Sequence, residues 1–348
     1  MSTQLKLGLI GLGRMGQLYA RTLATQIVGV QLYALAEARE QSRTILAREF
    51  NVPNTFADAN ELIALPELDA VVIATPTSTH PELVIAAAKA GKAIFCEKPL
   101  ALTLEETLAA LEAVAQANVP LQIGFMRRFD AAYQKARLLI TEGKIGRPVT
   151  FKSIGRDPFC PQREYANPAK SGGLIIDMAI HDFDLARWLM GSEVERVSAE
   201  GTLLVCDELK AVGDIDNALI NLRFANRALG NVEVSRNAFY GYDIRTEVLG
   251  SDGAVIIGAH QHTPVVLLTR NGAQYDILPY LMERFGDAYQ AQIQHFADCL
   301  RTGQPPSVSG ADSLAALEIG IAATRAYQTN SIVTIEELRT QSNRAIPS

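Results

Sequence analysis

Residues 172–189 read GGLIIDMAIHDFDLARWL, an apolar stretch interrupted by acids and one imidazole. A single helix over this segment sets Asp177, His181 and Asp184 at i, i+4 and i+7, along one stripe. Buried without partners, such groups cost several kcal/mol, so they need counter-charges or a wet cavity. Two readings fit: a capped helix whose polar stripe faces solvent, or a carboxylate and an imidazole looking into a cleft as an acid–base pair. An imidazole ordinarily titrates near pH ~6.5, which suits a general base at neutral pH. Zinc would find two ligands in Asp177 and His181 but no third at a recognisable spacing, so no metal is expected.

The second constellation is GLGRMG, residues 11–16. Gly11, Gly13 and Gly16 fit G-x-G-x-x-G, with Arg14 and Met15 in the turn. An apolar run of strand length (residues 6–10) precedes it and an amphipathic stretch (residues 14–24) follows. That order is what a pyrophosphate site needs: glycines for close approach, then a helix N-terminus offering free N–H groups. A strand over residues 30–36 ends at Glu37, about twenty residues on, where a carboxylate can hold the adenosine ribose hydroxyls of NAD. The same charge repels the 2′-phosphate of NADP, although Arg39 stands two residues away. NAD is therefore the expected cofactor and NADP the weaker alternative. The other reading is a tight structural turn followed by an ordinary surface acid.

These groups need a frame, and the chain supplies one. Residues 68–74 (LDAVVIA) are apolar throughout, as in a parallel strand buried on both faces. The loop TPTSTH after them brings Thr75, Pro76, Ser78 and His80 to a strand's carboxyl end, where open α/β sheets bind ligands. His80 reads as a helix-start or loop contact rather than a catalyst. Helices are expected over residues 81–90 and 103–117, and strands over 93–96 and 120–125. Glu97 and Lys98 follow the strand at 93–96, and Pro99 allows a cis Lys98–Pro99 bond. Lys98 is then either a solvated strand-end charge or a cation at the mouth of the cofactor crevice. Beyond residue 124 a helix at 131–142 leads into β-rich segments at 149–155, 194–205, 218–224, 229–238, 244–250 and 254–258. Helices at 285–302 and 311–329 finish the chain. The expected architecture is α/β plus α+β: a Rossmann doubly wound parallel sheet (1–124), then an open-faced, largely antiparallel sheet domain with helices on one side (125–348).

Composition narrows the function class. With 48% hydrophobic and 20% charged residues, the 348-residue chain is an ordinary globular protein. A net charge of −6 without a dense basic cluster argues against nucleic acid. The polar N-terminus running straight into a short strand supports neither a signal peptide nor a membrane span. Cys96, Cys160, Cys206 and Cys299 are scattered without C-x-x-C pairs, and are expected to be reduced structural thiols in a cytoplasmic protein.

GLIGLGRMG, IATPTSTH, EKP, GFMRRFD, GGLIIDMAIHDFDLARW and FGDAYQAQIQHFADCLRTGQPPSV together resemble the glucose–fructose oxidoreductase and inositol dehydrogenase (Gfo/Idh/MocA) family, over essentially the whole chain. The resemblance implies NAD or NADP, a catalytic group of Lys98, Asp177 and His181, and a polar stripe facing the nicotinamide across an interdomain cleft. GFMRRFD, GRDP (155–158) and YGYD (240–243) look most like inositol 2-dehydrogenases. That implies Met126, Arg127, Asp157 and Tyr240 as polyol contacts beside Lys98, Asp177 and His181, with Tyr242 if the register shifts by two. Some inositol dehydrogenases carry histidine where Gly155 stands, which leaves the isomer open. The implied reaction is NAD-dependent oxidation of myo-inositol to 2-keto-myo-inositol. Alternatives are another inositol isomer, an aldose or anhydrosugar, or a non-catalytic dinucleotide-binding regulator. A homotetramer is expected by resemblance, because an open sheet face must be covered.

Overall fold

The five apolar runs of the N-terminal third all become strands. β1 (Leu5–Ile10), β2 (Val30–Ala36), β3 (Asn54–Phe56), β4 (Ala70–Ile73), β5 (Ala93–Cys96) and β6 (Leu121–Ile123) form one sheet in the order β3-β2-β1-β4-β5-β6. Every pairing is parallel. This is the doubly wound dinucleotide order, whose switch point lies between β1 and β4. Leu7, Leu9, Val71 and Val72 are fully buried, as strands covered on both faces require. β3, absent from the sequence expectation, is three residues long, too short to show a period.

A computed structural model describes residues 4–345, residue 259 excepted. The chain divides into two units, one running to Met126 and taking in Tyr289–Leu314, the other holding Arg127–Ala288 and everything from Ala315 on. The sequence expectation assigned 125–348 to one domain. The chain instead returns to the first unit, because β6 is an edge strand with groups to satisfy. Ile123 N–H donates to the Val308 carbonyl (3.2 Å) and Gln122 Nε2 to the Gln292 carbonyl (2.8 Å).

In the second unit a seven-stranded sheet runs β12-β11-β7-β10-β9-β8-β15. Its strands are β7 (Pro148–Arg156), β8 (Val194–Thr202), β9 (Asn217–Phe224), β10 (Leu229–Ser235), β11 (Asp243–Gly250), β12 (Ala254–Ile257) and β15 (Val333–Thr334). All pairs are antiparallel except β7 with β10. A separate hairpin, β13 (Gln261–Thr269) and β14 (Gly272–Ile277), was missed in the sequence. Alternation divides the large sheet's faces. On β9, Ala218, Ile220, Leu222 and Phe224 are buried while Leu219 is half exposed.

The segment at 172–190 is not one helix. It forms Gly173–Asp177 and Ile180–Met190, broken at Met178–Ala179. Gly172 and Gly173 enter it with φ of 83° and 71°, a conformation that favours glycine. Asp177, His181 and Asp184 therefore do not make a straight stripe. Asp184 and its neighbour Asp182 are buried and have counter-charges from two consecutive arginines. Arg127 Nη1 donates to Asp182 Oδ1 at 2.6 Å. Arg128 grips Asp184 with two prongs, Nε to Oδ2 at 2.8 Å and Nη2 to Oδ1 at 2.5 Å.

The cysteine expectation is corrected. Cys160 and Cys206 are joined across 46 residues of sequence, with Cα atoms 5.6 Å apart, while Cys96 and Cys299 are free and buried. No spacing rule reveals such a pair. The fold makes it, because the exit of β7 and the connection from β8 to β9 lie side by side. Asp157 N–H donates to the Ser235 carbonyl, and the Asp216 carboxylate gathers the amides of Leu204, Val205 and Cys206.

Two stability predictions follow from these closures. Asp184→Asn leaves the Arg128 charge buried without its counter-charge and should cost about 3–5 kcal/mol, read as a lower urea midpoint at unchanged m. A loss under 1 kcal/mol would show that Arg128 finds another partner. Reducing the disulfide frees a 46-residue closed loop, worth about 4 kcal/mol by chain entropy, and should lower Tm by several degrees.

Candidate active site

The glycine turn fits a dinucleotide by its own geometry. Gly11 has φ of 88°, and a Cβ there would meet the Ala74 carbonyl oxygen at 2.7 Å. A Cβ at Gly16 would lie 1.9 Å from the Gly11 carbonyl oxygen, so only glycine allows the helix Arg14–Thr25 to pack so closely on the turn. A Cβ at Gly13 would meet no atom within 4 Å. Packing does not demand that glycine, but close approach of a pyrophosphate would. Gly13 caps the helix with no side-chain bond, leaving its first amides to an anion. Arg14 and Ser78 are exposed, and Met15 and Thr75 half buried.

Glu37 stands one residue past β2 with its carboxylate fully subscribed. Oε2 accepts from Leu12 N–H (2.9 Å) and Arg39 Nη2 (3.3 Å); Oε1 accepts from Arg39 N–H (3.1 Å) and Nε (3.0 Å). Burial alone would raise its pKa, but the hydrogen bonds from Arg39 and Leu12 outweigh it and hold the carboxyl below its ordinary range. The Arg39 side chain is 64% exposed, so that pair is worth at most about 1 kcal/mol and yields readily to a ribose.

At the end of β5 the Lys98–Pro99 bond is cis. Glu97 is buried and accepts from the Tyr19 hydroxyl and from Lys98 N–H (3.1 Å), while Gln292 Nε2 donates to Tyr19 Oη at 2.8 Å. Burial raises the Glu97 pKa, and the Tyr19 bond and Lys98 charge pull against it. His80 sits behind this turn, fully enclosed, with Nδ1 2.8 Å from the Pro99 carbonyl oxygen and Nε2 3.0 Å from that of Thr75. Burial lowers its pKa, while the two carbonyls facing its nitrogens pull the other way. His80, expected beside the cofactor, thus ties the Thr75 loop to the Lys98–Pro99 turn from behind. Tyr19 and Gln292 carried no motif; Tyr19 announced itself only as a polar residue on the buried face of a helix.

In the second unit Asp177 ends the helix Gly173–Asp177 and His181 lies in the first turn of Ile180–Met190, both half buried. Tyr165 Oη donates to Asp177 Oδ1 at 3.4 Å, and Arg236 Nη2 lies 3.5 Å from Asp177 Oδ2. Sequence reasoning missed Arg236, whose neighbours in the chain are polar and small; the D-x-D at 214–216 was the available sign of a buried cation nearby. Met126 and Arg127, expected at a polyol, are 2% and 4% exposed, and the Arg127 guanidinium is committed to Asp182. Asp157 is half buried at the exit of β7. Tyr240 is half exposed, its hydroxyl donating to Asp243 Oδ2 (2.6 Å) and accepting from Arg156 Nη1 (2.9 Å). Tyr242 is buried, which pushes its phenol well above the ordinary range. Gly155 faces Asp182: a Cβ there would stand 3.1 Å from Oδ2. Among the described residues no three His, Cys, Asp or Glu side chains gather as metal ligands, and no helix is long and apolar enough to cross a membrane.

Both parts of the chain match known proteins. Residues 5–125 fit the NAD-binding Rossmann fold of an oxidoreductase family, and residues 137–335 its C-terminal alpha/beta domain. The chain is 41% identical over 339 residues to a scyllo-inositol 2-dehydrogenase (NAD(+)) of Bacillus subtilis, covering 97% of this chain and 98% of that one. It is likewise 41% identical over 335 residues to a myo-inositol 2-dehydrogenase of Thermotoga maritima, covering 96% and 99%. A crystal structure of scyllo-inositol dehydrogenase from Lactobacillus casei, with bound NAD(H) and scyllo-inositol, superimposes with a TM-score of 0.91 at 30% identity, covering 96% and 99%. The chain is an NAD-binding oxidoreductase and belongs to the Gfo/Idh/MocA family.

Proposed function

We propose that this protein oxidises a secondary hydroxyl of a cyclic polyol with NAD, taking myo-inositol to 2-keto-myo-inositol. The observation that carries the reading is 41% identity over nearly the full length to two inositol dehydrogenases, in a chain that carries Lys98, Asp177 and His181. One of those relatives is named for scyllo-inositol and the other for myo-inositol, at the same 41% identity. Scyllo-inositol is therefore the second reading; kcat/KM measured on myo-, scyllo- and D-chiro-inositol and glucose separates them. No NAD reduction with any polyol would favour a dinucleotide-binding regulator.

Bound NAD supplies the hydride acceptor. The turn at Gly11, Gly13 and Gly16, with Arg14 and Met15, holds its pyrophosphate, and Glu37 its adenosine ribose. Thr75, Pro76, Ser78 and Glu97 line the cofactor on the β4 and β5 side. His181 accepts the substrate's hydroxyl proton as general base. Lys98 donates to the same oxygen as it becomes an alkoxide, where a fixed cation is worth most. Asp177 offsets the positive charge of the site and orients its partners. Since Met126 and Arg127 are enclosed, the polyol's remaining hydroxyls fall to Asp157 and Tyr240.

The open face of the large sheet exposes Leu219 (51%), Leu229 (52%) and Leu249 (44%), which supports self-association into a homotetramer. A cytoplasmic location suits an enzyme that must draw on a shared NAD pool; there the Cys160–Cys206 pair would meet thiol reductants.

His181→Ala should lower kcat by about two to four orders of magnitude while NAD still binds; near-wild-type turnover would remove His181 from the mechanism. For the cofactor, Glu37→Ser should shrink the NAD-over-NADP ratio in kcat/KM at least ~10-fold, because it removes the like-charge contact with the 2′-phosphate. Arg39→Ala should widen the ratio, since Arg39 both occupies Glu37 and serves a phosphate. A depressed carboxylate pKa means that this acceptor is present at neutral pH and is lost only as pH falls through the folded value. The KM for NAD should accordingly stay flat from about pH 8 to 5.5 and rise only below. A rise near pH 6 would assign the ribose to another group.

A further inference from the structure

Arg236 is among the largest fully enclosed side chains of the protein, 1% exposed, and lies just past β10. Its backbone is pinned, with its N–H donating to the Asp216 carbonyl at 2.9 Å. Nη1 donates to Asp214 Oδ2 at 2.7 Å. Nη2 is fully buried and makes no hydrogen bond of good geometry; Asp177 Oδ2 stands 3.5 Å from it. A guanidinium buried this completely keeps its charge, so an acid must face it. Here two do, and one of them is Asp177.

Asp214 does two things at once. Its Oδ1 accepts from Leu174 N–H at 3.0 Å, capping the short helix that ends at Asp177, and its Oδ2 takes Arg236. Burial raises the Asp214 pKa, Arg236 lowers it, and the Asp177 charge raises it again. The two carboxylates therefore act on each other as like charges, with one cation between them. On the other side of Asp177, Tyr165 Oη reaches Oδ1. Tyr165 lies in the helix Arg163–Ala166, within the segment that the Cys160–Cys206 bond closes.

We propose that Arg236 is a positioning residue of the dehydrogenase reaction, turning the Asp177 carboxylate toward one orientation from inside the second unit. The inference rests on the reading of Asp177 as part of the catalytic group. Arg236 touches neither substrate nor cofactor; it acts through Asp177. The 3.5 Å separation leaves Asp177 drawn toward the guanidinium without being locked by a short bond. Tyr165 meets the other oxygen, Oδ1, so the carboxylate is oriented from both sides. Misplacement of a catalytic group by about 1 Å can cost ~100-fold in rate, so the effect belongs in kcat.

The test uses the full-length protein with NAD and myo-inositol and four variants. Asp177→Asn checks the underlying reading: if it keeps wild-type kcat, that reading fails and this inference goes with it. If it loses kcat ~100-fold or more, Arg236→Met should lose ~10- to 100-fold with the NAD dissociation constant within ~3-fold. Arg236→Lys should recover most of that loss, since it restores the charge. Asp214→Asn keeps an oxygen for the Leu174 cap but removes the nearer charge facing Arg236, so it should lower Tm while kcat stays within ~3-fold, because Asp177 keeps its cation. Equal loss of kcat in Arg236→Met and Asp214→Asn would mean that both act only by loosening the fold, and would overturn the proposal. Should Arg236→Met not fold, Arg236→Lys decides: an unchanged KM for myo-inositol with kcat down ~3- to 10-fold is expected, and a kcat equal to wild type overturns it.

Discussion

The second unit depends on how it buries charge. Two adjacent arginines in one short turn, Arg127 and Arg128, face Asp182 and Asp184 on the helix Ile180–Met190, with side chains at most 9% exposed. Breaking such pairs costs more than forming them gains, so their value lies in having a single satisfactory arrangement. The helix cannot rotate or slide by a residue without stranding two carboxylates and two guanidinium groups. The His181 Cα is carried by that helix, one residue before Asp182. Its position is set by ion pairs that do no chemistry.

Asp177 is fixed by a different device. It lies across the break at Met178–Ala179, on a short helix entered through two left-handed glycines and capped by Asp214. A straight helix would have tied Asp177 and His181 rigidly, one turn apart. The break gives each its own anchor: Arg236 for the acid, the arginine pairs for the imidazole. The first unit shows the same division of labour. Glycines and amides shape the turn that receives a dinucleotide, while Tyr19, Gln292 and His80 stand behind Glu97 and the Lys98–Pro99 bond. In both units the more exposed site residues are backed by buried polar groups that bond to one another.

What the sequence showed and what it hid divide along this line. The Rossmann strands were legible because parallel strands buried on both faces are apolar throughout, as at residues 70–73. The turn was legible because G-x-G-x-x-G answers to a steric rule, seen in the 1.9 Å clash that a Cβ at Gly16 would make. The sheet of the second unit was legible from period-two alternation, as on β9. The hairpin β13–β14 escaped because its residues are exposed on both faces, so no alternation marks it. Long-range partners escaped for a more general reason. Arg127 and Asp182, Cys160 and Cys206, and Asp214 and Arg236 are joined only by the fold, and no local period encodes them.

The opening stripe illustrates how far composition misleads about a site. Four polar residues crowd positions 177–184, and helical spacing makes Asp184 look like the third member of a catalytic row. Burial separates them: Asp182 and Asp184 are 0% and 1% exposed and matched to arginines, whereas Asp177 and His181 keep an accessible edge. Asp184 is enclosed with a bidentate arginine, and Asp182 is enclosed with Arg127 on its Oδ1, so neither presents its charge to a substrate. Asp177 is half buried, with a cation 3.5 Å behind it, and part of its surface remains accessible. The difference between scaffold and candidate chemistry in this segment is therefore enclosure beside a counter-charge, a property that residue type and spacing do not carry.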